Sequence, residues 1–323
     1  MTTELEQYAV HYLQQWEERA TVRTRQRTRL TAETTAMPMF PDVMMPALKH
    51  EALAHWSDAQ RQEYSVRMAC DFQHAVALLE IDPVTDLCGK LAGQGMGVAL
   101  PEAVRQVALT IATDEAYHAL AAREFVDDAE RFMGITLPRA EGGSDPLVNG
   151  LTYIRKTVPT ELRRTAETMV LCFAENFITG ELFGLSKDAA SDSPFQVIVR
   201  EHLVDEGRHQ LFFQTLLRHL WAEIDEEVRV ELGRLLPAFL DAFLFNPQYF
   251  LDSQARILSP MGFDRETSKR IILEAYTTAF GPPPAEKHKR VMAQNSLKLI
   301  ATAGIGDHPP TREQLVASGW AAA

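Results

Sequence analysis

Apolar positions in this chain recur every three to four residues, the period of one helix face, and no stretch alternates as a half-buried strand would. Leu5, Tyr8, Tyr12, Trp16 and Ala20 form one such stripe within residues 4–30, which predicts an N-terminal helix. A loop punctuated by Pro38, Pro41 and Pro46 follows. Ser57-Asp58-Ala59-Gln60 has the spacing of a capping box and opens a helix through Glu80. Pro83 either ends that helix or kinks it, because it lacks the backbone donor the helix needs. The glycine cluster at 93–97 reads as a turn, and Pro101 suits the first position of a helix running to about Met133. After a loop at 134–146 come a short helix behind Asp145-Pro146 and a long one from Thr160 to about Leu185. Ser193-Pro194-Phe195-Gln196 is a second capping box and starts a helix to about Trp221. Further helices are expected near 225–245, 248–258, 264–279, 285–302 and 311–319. Thr311-Arg312-Glu313-Gln314 should cap the last, and Pro282-Pro283-Pro284 should break the chain before the one at 285. No polar linker divides the chain. The expectation is one all-α domain over 1–323 with about ten helices, its core at 57–221 and a C-terminal helical extension at 225–323.

Two charges sit where this pattern demands apolar side chains. Glu80 ends the run Ala75-Val76-Ala77-Leu78-Leu79, and Glu175 lies inside Met169–Ile178. Burying a carboxylate is costly unless it is paired or bound to metal. Two other segments supply a reason. Glu115-Ala116-Tyr117-His118 and Glu206-Gly207-Arg208-His209 are both Glu-x-x-His, and on a helix positions i and i+3 share a face. Each pair can therefore present a carboxylate oxygen and an imidazole nitrogen to one point. One such motif is common by chance. Two, each preceded by a lone Glu in an apolar helix, match the ligand set of ferritin-like four-helix bundles that hold two iron or manganese ions.

Spacing supports the match. Glu175 follows Glu80 by 95 positions and Glu206 follows Glu115 by 91. Glu80 lies 13 residues before Gly93 and Glu115 lies 14 after Pro101, while Glu175 lies 11 before Ser186 and Glu206 lies 13 after Ser193. In two antiparallel hairpins the mismatch in height is then only about 3 Å. His202 stands four residues before Glu206 and seven before His209, so it shares their face and would make one metal richer in nitrogen. Asp114 and Asp205 each precede a motif glutamate, and we expect them to accept the second N–H of the metal-bound imidazoles.

Composition narrows the picture. With 44 acidic and 32 basic residues among 323, the formal charge is −12, which argues against a general nucleic-acid binder. Four of those acids would neutralise two divalent cations. Cys70, Cys88 and Cys172 are an odd set without CxxC spacing and read as free thiols in a reducing cytosol. The polar start Met1-Thr2-Thr3-Glu4 predicts no secretory leader, and no apolar run approaches the length of a membrane span. The expectation is a cytoplasmic protein without membrane contact. The glycines at 93–97 follow a helix and place Val98 where a dinucleotide fingerprint needs its last Gly, so no flavin or nicotinamide site is expected. Arg19, Arg23, Arg25, Arg27 and Arg29 form a basic stripe, read either as a solvated helix end or as a docking patch for an acidic carrier protein.

The motif set resembles the p-aminobenzoate N-oxygenase (AurF-like) family of non-haem di-iron oxygenases. The family pattern is Glu, about thirty residues, then Asp-Glu-x-x-His, occurring twice, with an extra His one turn before the second motif's Glu. Here it is filled by Glu80, Asp114-Glu115-x-x-His118, Glu175, His202 and Asp205-Glu206-x-x-His209, spanning residues 80–209. The resemblance implies an all-helical homodimer with two Fe ions that uses O2 to oxidise a primary amine. Products in the family run from hydroxylamine and oxime through nitroso to nitro compounds, some in secondary-metabolite biosynthesis. No protein residue beyond the metal ligands is expected to be catalytic, a separate electron donor is expected, and the ligand set suits Mn as well as Fe.

Neighbours of the ligands nominate a substrate pocket: Phe72, Gln73 and Val76 beside Glu80, and Cys172, Ile178 and Thr179 beside Glu175. This set has no Arg to meet a free carboxylate, which favours an amine whose acid is masked or tethered to a carrier, unless Arg155 or Arg208 reaches the site. Three rivals stand. A radical-generating reductase subunit would want a Tyr one turn past His118, where this chain has Ala122 with Phe125 nearby. A hydroxylase or desaturase could use the same scaffold. An iron-storage or structural metal protein is the non-enzymatic reading.

Overall fold

Helices carry the chain from end to end, with no strand among the described residues. The computed structural model describes residues 3–93, 98–138, 146–186, 192–244, 247–281 and 294–321. The turn expected at 94–97, part of the loop at 134–146, Pro282-Pro283-Pro284 and the start of the helix expected at 285–302 fall outside the described residues.

The N-terminal helix is shorter than its stripe suggests. Helix α1 runs Glu4–Arg19 and ends as Ala20 turns extended, at φ −61° and ψ 132°. A single turn, α2 (Thr21–Thr24), follows, and residues 25–30 continue without helix. Side chains two apart on an extended segment face the same way. Arg25, Arg27 and Arg29 accordingly point together onto the bundle. Arg25 meets Glu201 at 3.3 Å, Arg27 meets Glu124 at 2.7 Å, and Arg29 grips both oxygens of Asp128 at 2.8 Å. Arg25, Arg27 and Arg29 thus strap the N-terminus to the chain's own acids, while Arg19 at the end of α1 and Arg23 on α2 stay exposed, Arg23 paired with Glu17.

Helix α3 spans Asp58–Leu79 and carries both bonds of the Ser57–Gln60 capping box. It runs into a wide, π-helical segment, Glu80–Thr85, and resumes as α4 (Asp86–Ala92), so Pro83 kinks rather than ends it. Asp82 leaves helical geometry at φ −143° and ψ 98°. The Glu80 carbonyl accepts from the Thr85 hydroxyl at 2.6 Å, which ties the two ends of this segment. Helix α5 runs Glu102–Met133 and ends at Gly134, whose φ of +64° is the left-handed conformation that favours glycine. After α6 (Pro146–Thr157), α7 (Arg163–Ser186) packs along α8 (Pro194–Glu223), as α3 and α4 pack along α5. Contacts of α5 with α8 and of α4 with α7 close the four-helix core. By length and composition α7 would pass for a membrane span, but 72% of its apolar window is buried in the protein.

The C-terminal half wraps this core with α9 (Glu226–Leu244), α10 (Pro247–Leu258), α11 (Arg265–Phe280), α12 (294–302) and α13 (Pro309–Ala317). The last helix starts earlier than expected. His308 precedes it, Pro309 fills its first position, and Thr311 lies inside it, bonded to His308 Nδ1 at 2.7 Å. One apolar core reaches from Leu5 to Trp320, so the outer helices share it with the bundle.

Candidate metal centre

Helix registers set by the kink and the caps bring four glutamates and three histidines to one level. Glu80 sits where α3 widens, Glu115 and His118 lie on α5, Glu175 on α7, and His202, Glu206 and His209 on one face of α8. All seven are buried, and Glu80, Glu115, Glu175, Glu206 and His209 expose no surface. Their ligand-type atoms form two groups, each within 4.8 Å: Glu80, Glu115, His118 and His202, and Glu115, Glu175, Glu206 and His209. Glu115 belongs to both. Glu206 also faces both, its Oε1 lying 3.3 Å from His202 Nε2, 3.1 Å from His209 Nδ1 and 3.9 Å from His118 Nδ1.

The chemistry of this set fits a pair of divalent ions. Both oxygens of Glu80, Glu115 and Glu175, one of Glu206, Nδ1 of His118 and Nε2 of His202 are buried without a hydrogen-bond partner. Some lie close, as His202 Nε2 does to Glu80 Oε1 at 2.8 Å, yet not in hydrogen-bond geometry. The lone pairs converge on shared points instead of on each other. Unpaired groups in a dry interior are costly, and metal coordination removes that cost. Protons show the same strain. Burial, then the charges of Glu206 and Glu115, push the Glu175 carboxyl well above its usual range. Burial lifts Glu80 to about 7 against the pull of His202. Burial and His118 pull His202 down, but the neighbouring carboxylates of Glu80 and Glu206 lift it to about 9. Without metal the cluster holds protons that a cation would displace.

The two aspartates act across the motifs. His118 Nε2 lies 3.0 Å from Asp205 Oδ2, and His209 Nε2 lies 3.2 Å from Asp114 Oδ2. Burial opposes ionisation of Asp205, but its bonds to His118 and Thr21 hold its carboxyl well below the usual range. An ionised carboxylate only accepts, so Nε2 of His118 carries the proton and Nδ1 is left as the donor to the centre. The N-terminus braces both acids. Trp16 Nε1 donates to Asp114 at 2.9 and 3.0 Å, and the Thr21 backbone N–H donates to both oxygens of Asp205 at 3.3 Å, its hydroxyl adding a further bond. Arg208 bonds Asp205 and lies 3.7 Å from Asp114. Sequence reasoning saw Trp16 only as a core position and missed Thr21, whose placement depends on the break at Ala20.

The nominated pocket residues fare unevenly. Val76 clusters with Ala77, Ala119 and Ala122 beside the His118 helix, with Phe72 packed against them. Phe72 also meets Phe195 edge-on at 5.9 Å. Gln73, Cys172 and Ile178 are buried. The Thr179 hydroxyl is consumed by the carbonyls of Glu175 at 2.7 Å and Glu206 at 3.3 Å, tying α7 to α8. Two cavities among the described residues lie elsewhere, one around Asp71 and His74, the other around Phe173 and Phe239. Arg208 is engaged by the aspartates, and Arg155 pairs with Glu167 at 2.7 Å.

Compared with known proteins, residues 6–302 match the model of a family described as P-aminobenzoate N-oxygenase AurF. No curated protein matches the chain.

Proposed function

Because the chain belongs to the p-aminobenzoate N-oxygenase family, whose model matches residues 6–302 of 323, we propose that it is an O2-dependent di-iron N-oxygenase acting on a primary amine. The observation that carries this is the pair of buried four-residue groups joined through Glu115. One ion would be held by Glu80, Glu115, His118 and His202, the other by Glu115, Glu175, Glu206 and His209. A reduced iron pair bound there would supply the oxygen chemistry; the same donors also accept manganese.

The protein's own residues supply order and dryness. Asp205 and Asp114 fix the tautomers of His118 and His209, so that each presents Nδ1 inward. Four glutamates match the charge of two divalent cations, which leaves the buried cluster neutral apart from the braced aspartates. Full burial of the glutamates keeps bulk water from the oxidising site. The overall balance is amine, O2, two electrons and two protons giving hydroxylamine and water, with further oxygenation leading to oxime, nitroso or nitro products. The electrons come from a separate reductant. The substrate is a small amine, free or presented on a carrier protein, and the working unit is a homodimer. A carrier is favoured by the absence of arginine among the residues nominated beside the ligands, with Arg208 and Arg155 paired to carboxylates elsewhere.

Iron analysis of protein expressed with ample iron, followed by mass spectrometry of amines exposed to 18O2, tests the proposal. Two irons per chain and 18O on nitrogen are expected. Only traces of metal, or 18O on carbon alone, would refute it.

A further inference from the structure

The two bracing aspartates end on different chemistry. Asp205 ends on Thr21 and Arg208, groups that neither give nor take electrons. Asp114 ends on an indole. Trp16 Nε1 lies 2.9 and 3.0 Å from its oxygens, Asp114 Oδ2 lies 3.2 Å from His209 Nε2, and His209 Nδ1 lies 2.8 Å from Glu115 and 3.1 Å from Glu206. Hydrogen bonds therefore join an aromatic ring through Asp114 to His209, whose Nδ1 faces the inside of the centre. Asp114 and His209 are fully buried, whereas Trp16 is partly exposed, with the Arg23 guanidinium 5.2 Å from its ring centroid. Nothing in holding a carboxylate requires an indole, as Thr21 demonstrates at the matching position.

We propose that electrons enter the centre at Trp16, passing from a one-electron iron–sulfur reductant through Trp16, Asp114 and His209. The inference rests on the N-oxygenase reading, which needs two outside electrons for each oxygen atom transferred. Each passage oxidises the donor's cluster by one electron and reduces one ferric ion to ferrous, so two passages fill the pair. No bond forms or breaks, and the hydrogen bonds along the line keep their protons.

The test compares two reductants on iron-loaded protein: a reduced [2Fe–2S] ferredoxin, and dithionite, small enough to approach by other routes. Wild type, Trp16→Phe, which loses the N–H but keeps a ring, and Trp16→Tyr, which keeps a ring able to donate, are loaded. Iron per chain and circular dichroism are measured first, and bleaching of the ferric absorbance is then timed by stopped flow. Trp16→Phe should retain its iron and be reduced about tenfold more slowly by ferredoxin. Its reduction by dithionite should match wild type, and Trp16→Tyr should recover part of the ferredoxin rate. Equal slowing with both reductants, or iron loss in both variants, would make Trp16 a mere brace and overturn the proposal. Wild-type rates with both would place the electron path elsewhere. Failure of the N-oxygenase reading appears separately, as wild-type protein that takes up no iron.

Discussion

His118 Nε2 lies 3.0 Å from Asp205 Oδ2, so the histidine of one motif is held by the aspartate of the other. His209 and Asp114 repeat the arrangement in the opposite direction at 3.2 Å. The two hairpins thereby lock each other's ligand orientation. Removing one acceptor charge should loosen one imidazole without emptying the fold. Asp205→Asn is expected to weaken metal binding by about 10–100-fold. Competition with a calibrated chelator measures this; unchanged affinity would reduce Asp205 to a packing residue.

Sharing of Glu115 between the two groups separates the glutamates by effect. Glu115→Ala should lose both ions. Glu80→Ala and Glu175→Ala should each deplete one group and leave close to half the metal. Glu206 faces three imidazoles at 3.1 to 3.9 Å, so Glu206→Ala should resemble Glu115→Ala. Metal-to-chain ratios after desalting decide the matter, and equal loss across all four variants would contradict the division.

Proton bookkeeping gives a pH dependence. In the metal-free protein, burial raises Glu80 from 4.5 to about 7, and the Glu80 charge helps lift His202 from 6.5 to about 9. A group whose folded pKa is raised contributes stability in full below its unfolded value and loses it as pH climbs through the folded one. The metal-free protein should therefore lose stability as pH rises from about 4.5 to 7, where Glu80 gives up its proton, and on to about 9, where His202 does, while the loaded protein holds steady. Thermal melts of both forms across this range check the sign. Adding metal near pH 7 should also release protons into a weak buffer, readable with an indicator dye.

The ligand constellation was legible because its physics is local. A carboxylate in an apolar helix is costly, and Glu-x-x-His shares a face by helix geometry alone. Glu80, Glu115, His118, Glu175, His202, Glu206 and His209 could be read from spacing, and the structure gathers them. What surrounds them was less legible. Trp16 reaches Asp114 from within α1, a pairing 98 positions apart, and Thr21 reaches Asp205 only because the chain breaks at Ala20. Arg25, Arg27 and Arg29 did carry a signal: a period of two fits an extended strap and not a helix. His308 before Pro309 likewise displaced the expected cap at Thr311, since the proline ring already suits the first helical position.

The strap should matter modestly. Arg29 holds Asp128 through two bonds of 2.8 Å, but its side chain is 45% exposed and solvent screens the pair. Arg29→Ala should cost about 1 kcal/mol. Arg131 also reaches Asp128, at 2.7 Å, and limits the loss. A double-mutant cycle with Asp128→Ala isolates the pair, and a coupling near zero would leave the strap held by its other contacts.

A last prediction concerns the outer helices. A Cβ built on Gly233 of α9 would fall 1.9 Å from Thr311 Oγ1 and 2.9 Å from its Cβ on α13. Thr311 is fully buried and tied to His308, which meets Glu226 at 2.9 Å, so the hydroxyl has little freedom to move away. Gly233→Ala should force the two helices apart and lower stability by about 1–3 kcal/mol. Because α9 and α13 lie outside the ligand-bearing helices, metal content at low temperature should stay near that of wild type. Thr311→Ala in the same chain removes the closest atom and should recover part of the loss. Chemical denaturation of the two single variants and the double variant measures this. A Gly233→Ala variant as stable as wild type would mean that α13 can shift freely on α9.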